Sequence, residues 1–222
     1  MNTTEHALLR LMHLSSPGLP VGAYAFSHGL EFAIDTGWLR TDEDVSHWLE
    51  MQLFFALARL DIPVLMRLHQ AIQDNNVAQA QWWNDYVLAS RETRELQLTD
   101  TATGLALQRL LPSLSVSSLI SVPPLSFVTC YAQAAVSWQI GVDMAALGYC
   151  WAWLENQVNA ATKLVPLGQT QAQKLLHTLQ EKIPLAITQA KSLADDELGM
   201  SLPALSLASM YHETQYTRLF RS

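Results

Sequence analysis

The chain has 222 residues, half of them hydrophobic and 15% charged, with a formal net charge of −7. That length and hydrophobicity suit one domain with a sizeable core and leave no room for long disordered tracts. The acidic balance argues against nucleic acid as the main partner, because phosphate binding needs a basic face.

The first helical pattern covers 3–14, where Leu8, Leu11 and Met12 recur at helical spacing. The stretch 14–31 differs in kind. Pro17, Gly18, Pro20 and Gly22 cannot sit inside one helix, and the interleaved Leu19, Val21, Tyr24 and Phe26 make this loop apolar enough to pack on the protein or on a partner. Ser27 reads as the N-cap of a short helix over 27–36 that carries Glu31, with Gly37 as its C-cap. Thr41 caps the next helix, and Asp42, Glu43 and Asp44 lie at the positive end of its dipole. The row Val45, Leu49, Leu53 and Leu57, widened by Trp48, Phe54 and Phe55, marks a central helix. Asp61-Ile62-Pro63 reads as a restart, with Asp61 as cap and Pro63 in the first turn. Val64, Leu65, Leu68 and Ile72 continue to a break at Asp74-Asn75-Asn76.

One helix or two occupy 77–111. Arg91 and Glu95 form an i, i+4 pair there, and Arg91 and Arg94 share a face that by spacing alone is solvated. After Pro112, the segment 113–126 is too apolar for a free tether, and 116–122 carries a weak strand signal. Helices over 127–138 and 143–165 follow, separated by Gly141. Between Arg109 and Lys163 the only charged residues are Asp143 and Glu155, so this third of the chain is expected in the core or in an oligomer interface. Its most apolar run, 144–154, is shorter than the roughly 20 residues of a membrane span. A helix over 170–183 and a second piece to 193 precede the acidic turn Asp195-Asp196-Glu197. The class is all-α: one compact domain, 1–222, a bundle of roughly ten helices, dimerising through its apolar helices.

Catalytic signatures are missing. The chain contains no P-loop, no G-x-G-x-x-G and no G-x-S-x-G elbow. Seven histidines are scattered, none at ligand spacing, and Cys130 and Cys150 form neither a disulfide framework nor a zinc spacing. These features predict no enzyme, no metal site and no cofactor. With no basic segment and long apolar run at the start, they also predict a cytoplasmic setting and no membrane partner.

Four separated stretches carry a resemblance. The first is Ser15-Ser16-Pro17-x-Leu19-Pro20-Val21-Gly22-x-Tyr24-x-x-Ser27-x-Gly29-Leu30-Glu31, and the second Ser90-Arg91-Glu92-Thr93-x-Glu95-Leu96. The third is Asn159-Ala160-Ala161-x-Lys163 with Pro166-x-Gly168-Gln169, and the fourth Pro203-x-x-Ser206 with the terminal run His212 to Ser222. In these the chain resembles the UreF family of urease accessory proteins. The resemblance implies an all-helical, dimeric chaperone or adaptor that binds UreD (also called UreH). That pair recruits the GTPase UreG and delivers nickel to apo-urease. The alternative within the same assembly is a GTPase-activating protein that supplies Arg91 or Arg94 in trans.

Residue by residue, the resemblance assigns Pro17, Pro20, Gly22, Tyr24, Ser27 and Gly29 to a structural loop. Glu31, Arg91, Arg94 and Lys163 become candidates for docking UreG on one surface, with charge removal expected to leave the fold intact. The tail residues His212, Glu213, Gln215, Tyr216, Arg218, Leu219, Phe220 and Arg221 become candidates for binding UreD. The tail mixes aromatics and arginines, the types enriched at binding hot spots. Ordering it costs about 1–2 kcal/mol per residue, close to what burying its large apolar side chains returns, so the tail 212–222 is expected to be mobile until a partner adds contacts.

Overall fold

The computed structural model describes residues 4–165, 167–199 and 202–221. The expected helix start at Thr3, the motif residue Pro166 and the terminal Ser222 therefore lie outside the described residues. Helix α1 spans Glu5–Leu14, and the Thr4 side chain accepts a hydrogen bond from the Ala7 amide as its cap. Helix α2 is the short Leu30–Asp35. Its cap position falls at Gly29, in the left-handed region, rather than at Ser27, although the Ser27 hydroxyl still accepts from the Glu31 amide at 3.4 Å.

Helix α3, Asp42–Gln52, opens on a capping box in which Thr41 and Asp44 satisfy each other's backbone amides. It does not end before Asp61. A π-helical segment, Leu53–Asp61, joins it without a break to helix α4, Ile62–Gln73. Asp61 has helical dihedrals and caps nothing with its side chain, so its reading as a cap is corrected. The widened turns are a form found mostly at functional sites, and here they end on a carboxylate directed inward.

Helices α5, Val77–Ala89, and α6, Arg94–Leu110, are separate, broken at 90–93. The segment 116–122 forms no strand, and no strand occurs among the described residues. Val116 and Ile120 are nonetheless buried, and the Ile120 amide donates to the Gln133 side chain. Helices α7, Phe127–Ser137, and α8, Val142–Leu164, follow. Then come α9, Gln169–Gln180, and α10, Ile183–Ser192. A final helix, α11 at Pro203–His212, has no counterpart among the sequence expectations. Its first turn is opened by Pro203 rather than announced by a side-chain cap.

The core is organised on α4, which packs against α5, α7, α8 and α10. Ile62, Val64, Leu65 and Leu68 of α4 have no exposed surface. Helix α7 lies between α4 and α6 and is buried on all sides from Val128 to Ala135. That accounts for part of the charge-poor third of the sequence: α7 goes into the chain's own core. Close approach matters where α1 crosses α8. A methyl group on Gly148 would meet Leu11 Cδ1, and would lie 2.6 Å from Ser15 Oγ and 2.8 Å from Tyr131 Oη. Among the described residues no helix is long and apolar enough to cross a membrane.

Candidate functional site

Two charge clusters occupy the motif regions. The first is built around Arg91. The break at 90–93 leaves Arg91 outside any helix, and its side chain points inward with only 11% of its surface exposed. It makes a two-pronged contact with Asp61, Nη2 to Oδ1 at 2.7 Å and Nη1 to Oδ2 at 3.2 Å. Both Nε and Nη2 lie 2.9 Å from Asp100 Oδ2. The Tyr149 hydroxyl donates to Asp61 at 3.0 Å, and the first amide of α7, Phe127, donates to Asp100 at 2.6 Å. One guanidinium thus ties the end of the π segment, α6, α7 and α8 together. Burial holds the Asp100 carboxyl above the ordinary range against the opposing pull of Arg91, and it pushes the Tyr149 hydroxyl well up. The i, i+4 pair of Arg91 with Glu95 on a solvated face does not form.

Beside this cluster a cleft of about 180 Å³ runs under the Pro/Gly loop, lined among others by Ser16, Tyr24, His28, Asp61, Arg91 and Asn156. Burial first, then the charge of Arg91, pushes the His28 imidazole down to about 4, so it is neutral across the physiological range. Of the loop residues, Gly22 and Gly29 have φ of 76° and 74°, conformations that favour glycine. Ser27 is buried, and Tyr24 is 69% exposed.

The second cluster holds the chain end. The tail does not stand free. Glu31 Oε1 accepts the Leu219 amide at 2.6 Å and Oε2 accepts the Phe220 amide at 2.8 Å. The Arg221 amide donates to the Ala25 carbonyl, and Arg218 Nη1 lies 3.1 Å from Glu95 Oε1. His212, with no exposed side-chain surface, bridges the two carboxylates: Nδ1 is 2.9 Å from Glu95 Oε2 and Nε2 is 3.1 Å from Glu31 Oε2. Phe220 is buried, with the Lys163 ammonium 5.5 Å above its ring. The expectation of a mobile tail weighed only aromatic burial against chain entropy. It omitted two carboxylates inside the fold that need donors, which the tail supplies.

Of the four residues expected to share a docking surface, Arg94 and Lys163 are exposed, whereas Glu31 and Arg91 are turned inward. Glu31 and Lys163 meet at Phe220; Arg91 belongs to the other cluster. In the tail, Tyr216 is fully exposed and Leu219 is 64% exposed. Glu213 accepts the Glu95 amide through its side chain, and Gln215 reaches Asp35 and the Thr217 carbonyl. Asp61, Asp100, Tyr149 and Glu95 were not singled out from the sequence as site residues. A signal was available for two of them. Asp61 continues the i+4 row Val45, Leu49, Leu53, Leu57, and Asp100 stands on the face shared by Leu96, Thr103 and Leu107. In each case a carboxylate occupies an apolar face, where a partner is obligatory.

Among the described residues no group of three or more His, Cys, Asp or Glu side chains is arranged to hold a metal ion. The fold and the site define an all-α bundle whose motif residues hold loops and chain ends in place. Residues 39–180 match the UreF family model. The urease accessory protein UreF of Marinomonas sp. (strain MWYL1) is 52% identical over 99% of this chain and 96% of its own. That of Teredinibacter turnerae is 51% identical over 98% and 100%. That of Alkalilimnicola ehrlichii is 48% identical over 96% and 95%. The chain belongs to the UreF family of urease accessory proteins.

Proposed function

We propose that this chain is a non-enzymatic, cytoplasmic adaptor of urease maturation. It binds UreD (UreH) through the tail and α11, and it recruits the GTPase UreG for nickel insertion into apo-urease. The observation that carries this reading is the outward face of the docked tail. Its backbone is held on Glu31, while Tyr216 and Leu219 are exposed, and in the preceding helix α11 Leu207, Met210 and Tyr211 are 42–49% exposed. Aromatic and apolar anchors on a held backbone are what interface cores are made of, and a preformed segment saves the entropy of ordering on binding. Lys163 and Arg94 supply exposed charge for the UreG contact, which affects specificity and on-rate more than affinity. Leu8, Leu9 and Met12, exposed along α1, favour a homodimer through that helix.

The test is co-purification of UreD with a Tyr216→Ala, Leu219→Ala double variant. Both side chains are exposed, so thermal melting stays unchanged while UreD capture falls by an order of magnitude or so, as expected for two anchors. Normal capture would sink the reading. A second reading has one observation behind it. Arg94 is exposed at the start of α6, whereas Arg91 is held by two carboxylates. An arginine supplied to UreG in trans would therefore be Arg94, and loss of stimulated GTP hydrolysis in Arg94→Ala alone would identify it.

A further inference from the structure

The two carboxylates that hold the tail are joined by a histidine with no exposed side-chain surface, and the geometry specifies its protonation state. Glu31 and Glu95, when ionised, only accept hydrogen bonds. His212 faces Glu95 with Nδ1 and Glu31 with Nε2. Both ring nitrogens must therefore donate, which only the imidazolium does. We propose that His212, the last residue of α11, is a protonation latch for α11 and the tail: charged, it clamps them to α2 and α6; neutral, it lets them go together. The inference does not depend on which partner the tail binds.

The charges around the ring come from every element that packs there. Helix α2 contributes Glu31, with Asp35 farther along at Gln215. Helix α6 contributes Glu95, and Glu92 just before it is bonded to Ser206 of α11. The tail contributes Glu213, on the Glu95 amide, and Arg218, on the Glu95 carboxylate. Lys163 of α8 lies over the Phe220 ring. With His212 charged, Glu31 and Glu95 are balanced by the imidazolium and Arg218. With His212 neutral, one ring nitrogen turns a lone pair toward a carboxylate about 3 Å away, and of the two carboxylates, 7% and 6% exposed, Glu95 keeps the Arg218 guanidinium while Glu31 keeps backbone amides. Releasing α11 with the tail carries the ring away from both carboxylates and lets water reach them.

The direction of the linkage follows. Burial alone would lower the His212 pKa, but the hydrogen bonds it donates to Glu95 and Glu31, with their negative charges, raise it above the ordinary value of 6.5. A raised pKa in the docked state gives a contribution that is complete below 6.5 and is lost as pH rises through the docked-state value. Once released with α11 the ring regains its ordinary value, so each unit of elevation is a tenfold bias toward the docked α11 and tail on protonation.

The experiment is hydrogen exchange on the full chain alone, read at the Leu219 and Phe220 amides. It is run between about pH 6 and pH 9 with protection factors corrected for the intrinsic rate. Protection should fall as pH rises across that range, tenfold for each unit by which docking raises the His212 pKa, while amides of α4 keep theirs. A His212→Gln variant should show low tail protection that no longer changes with pH. Flat protection in the parent chain overturns the latch even if the variant does not fold. An equal decline in parent and variant overturns it as well, because the titrating group would then be elsewhere. UreD capture is not a readout, so failure here leaves the adaptor reading standing.

Discussion

Replacing Arg91 by alanine removes the one cation between Asp61 and Asp100. The side chains of these two carboxylates are 6% and 5% exposed, and after the change both remain inside, facing each other. The fold retains the Tyr149 hydroxyl and the Phe127 amide as donors, which satisfies hydrogen bonding but not charge. Breaking a buried ion pair by deleting one partner costs about 3–5 kcal/mol, a large part of the roughly 5–15 kcal/mol that holds a domain together. For a chain of this size that lowers Tm by about 6–20 °C, read by calorimetry or circular dichroism. The pH dependence gives a second, independent check. Burial holds the Asp100 carboxyl up while Arg91 draws it down. Without Arg91 the elevation grows, and a carboxyl with a raised folded-state pKa contributes stability at acid pH that disappears as pH rises through that value. The deficit of Arg91→Ala should therefore narrow on acidification from neutrality to about pH 5. A loss under about 1 kcal/mol would refute the reasoning, since it would show the pair behaving like a surface one. A deficit that does not change with pH would do the same.

Gly148→Ala places a methyl against Leu11, Ser15 and Tyr131. It should cost about 1–3 kcal/mol by overpacking, with proteolytic nicking appearing first around α1, whereas Gly141→Ala, which meets nothing within 4 Å, should be nearly silent. The thiols of Cys130 and Cys150 are buried, and burial pushes Cys130 up to about 12 and Cys150 higher still. Native protein should accordingly react with a disulfide reagent only at the rate of unfolding, and prompt reaction of either thiol at neutral pH would contradict their placement.

Much of the fold was legible because it follows from single-element rules. The cap at Thr41, the punctuation at Pro112 and Gly141 and the apolar rows each specify a helix from local residues, and each is found. What was not legible depends on pairs distant in sequence. Asp61 before Ile62-Pro63 has the local form of a cap, yet the chain remains helical through it. Arg91 and Asp100 lie about 30–40 residues along the chain, so their demand for a buried partner outweighs the local signal. Helix α11 was missed for a related reason: its buried residues Leu205, Ala208, Ser209 and His212 mix polar with apolar types. The Thr93 hydroxyl, 2.7 Å from Ser209, and the Glu95–His212 pair are what make that face fit the core. The loop 14–31 was recognised as exceptional, but the role of its last residue, Glu31, depends on amides nearly the whole length of the chain away.

The segment Ser90-Arg91-Glu92-Thr93-Arg94-Glu95-Leu96 joins the two clusters. Because the helix is interrupted at 90–93, Arg91 can turn inward toward Asp61, which a continuous helix would have directed along the same face as Glu95. The restart is set by Thr93, whose hydroxyl accepts the Leu96 amide as N-cap and also meets Ser209 of α11. That cap fixes the rotation of α6 about its axis. The rotation in turn places Asp100 toward Arg91 and Glu95 toward His212, about one and a half turns apart. One short break therefore positions both the charge network that ties the bundle and the carboxylate that grips the tail. Continuous helix through 90–93 would preserve every residue and lose both sites, because neither carboxylate would keep its register.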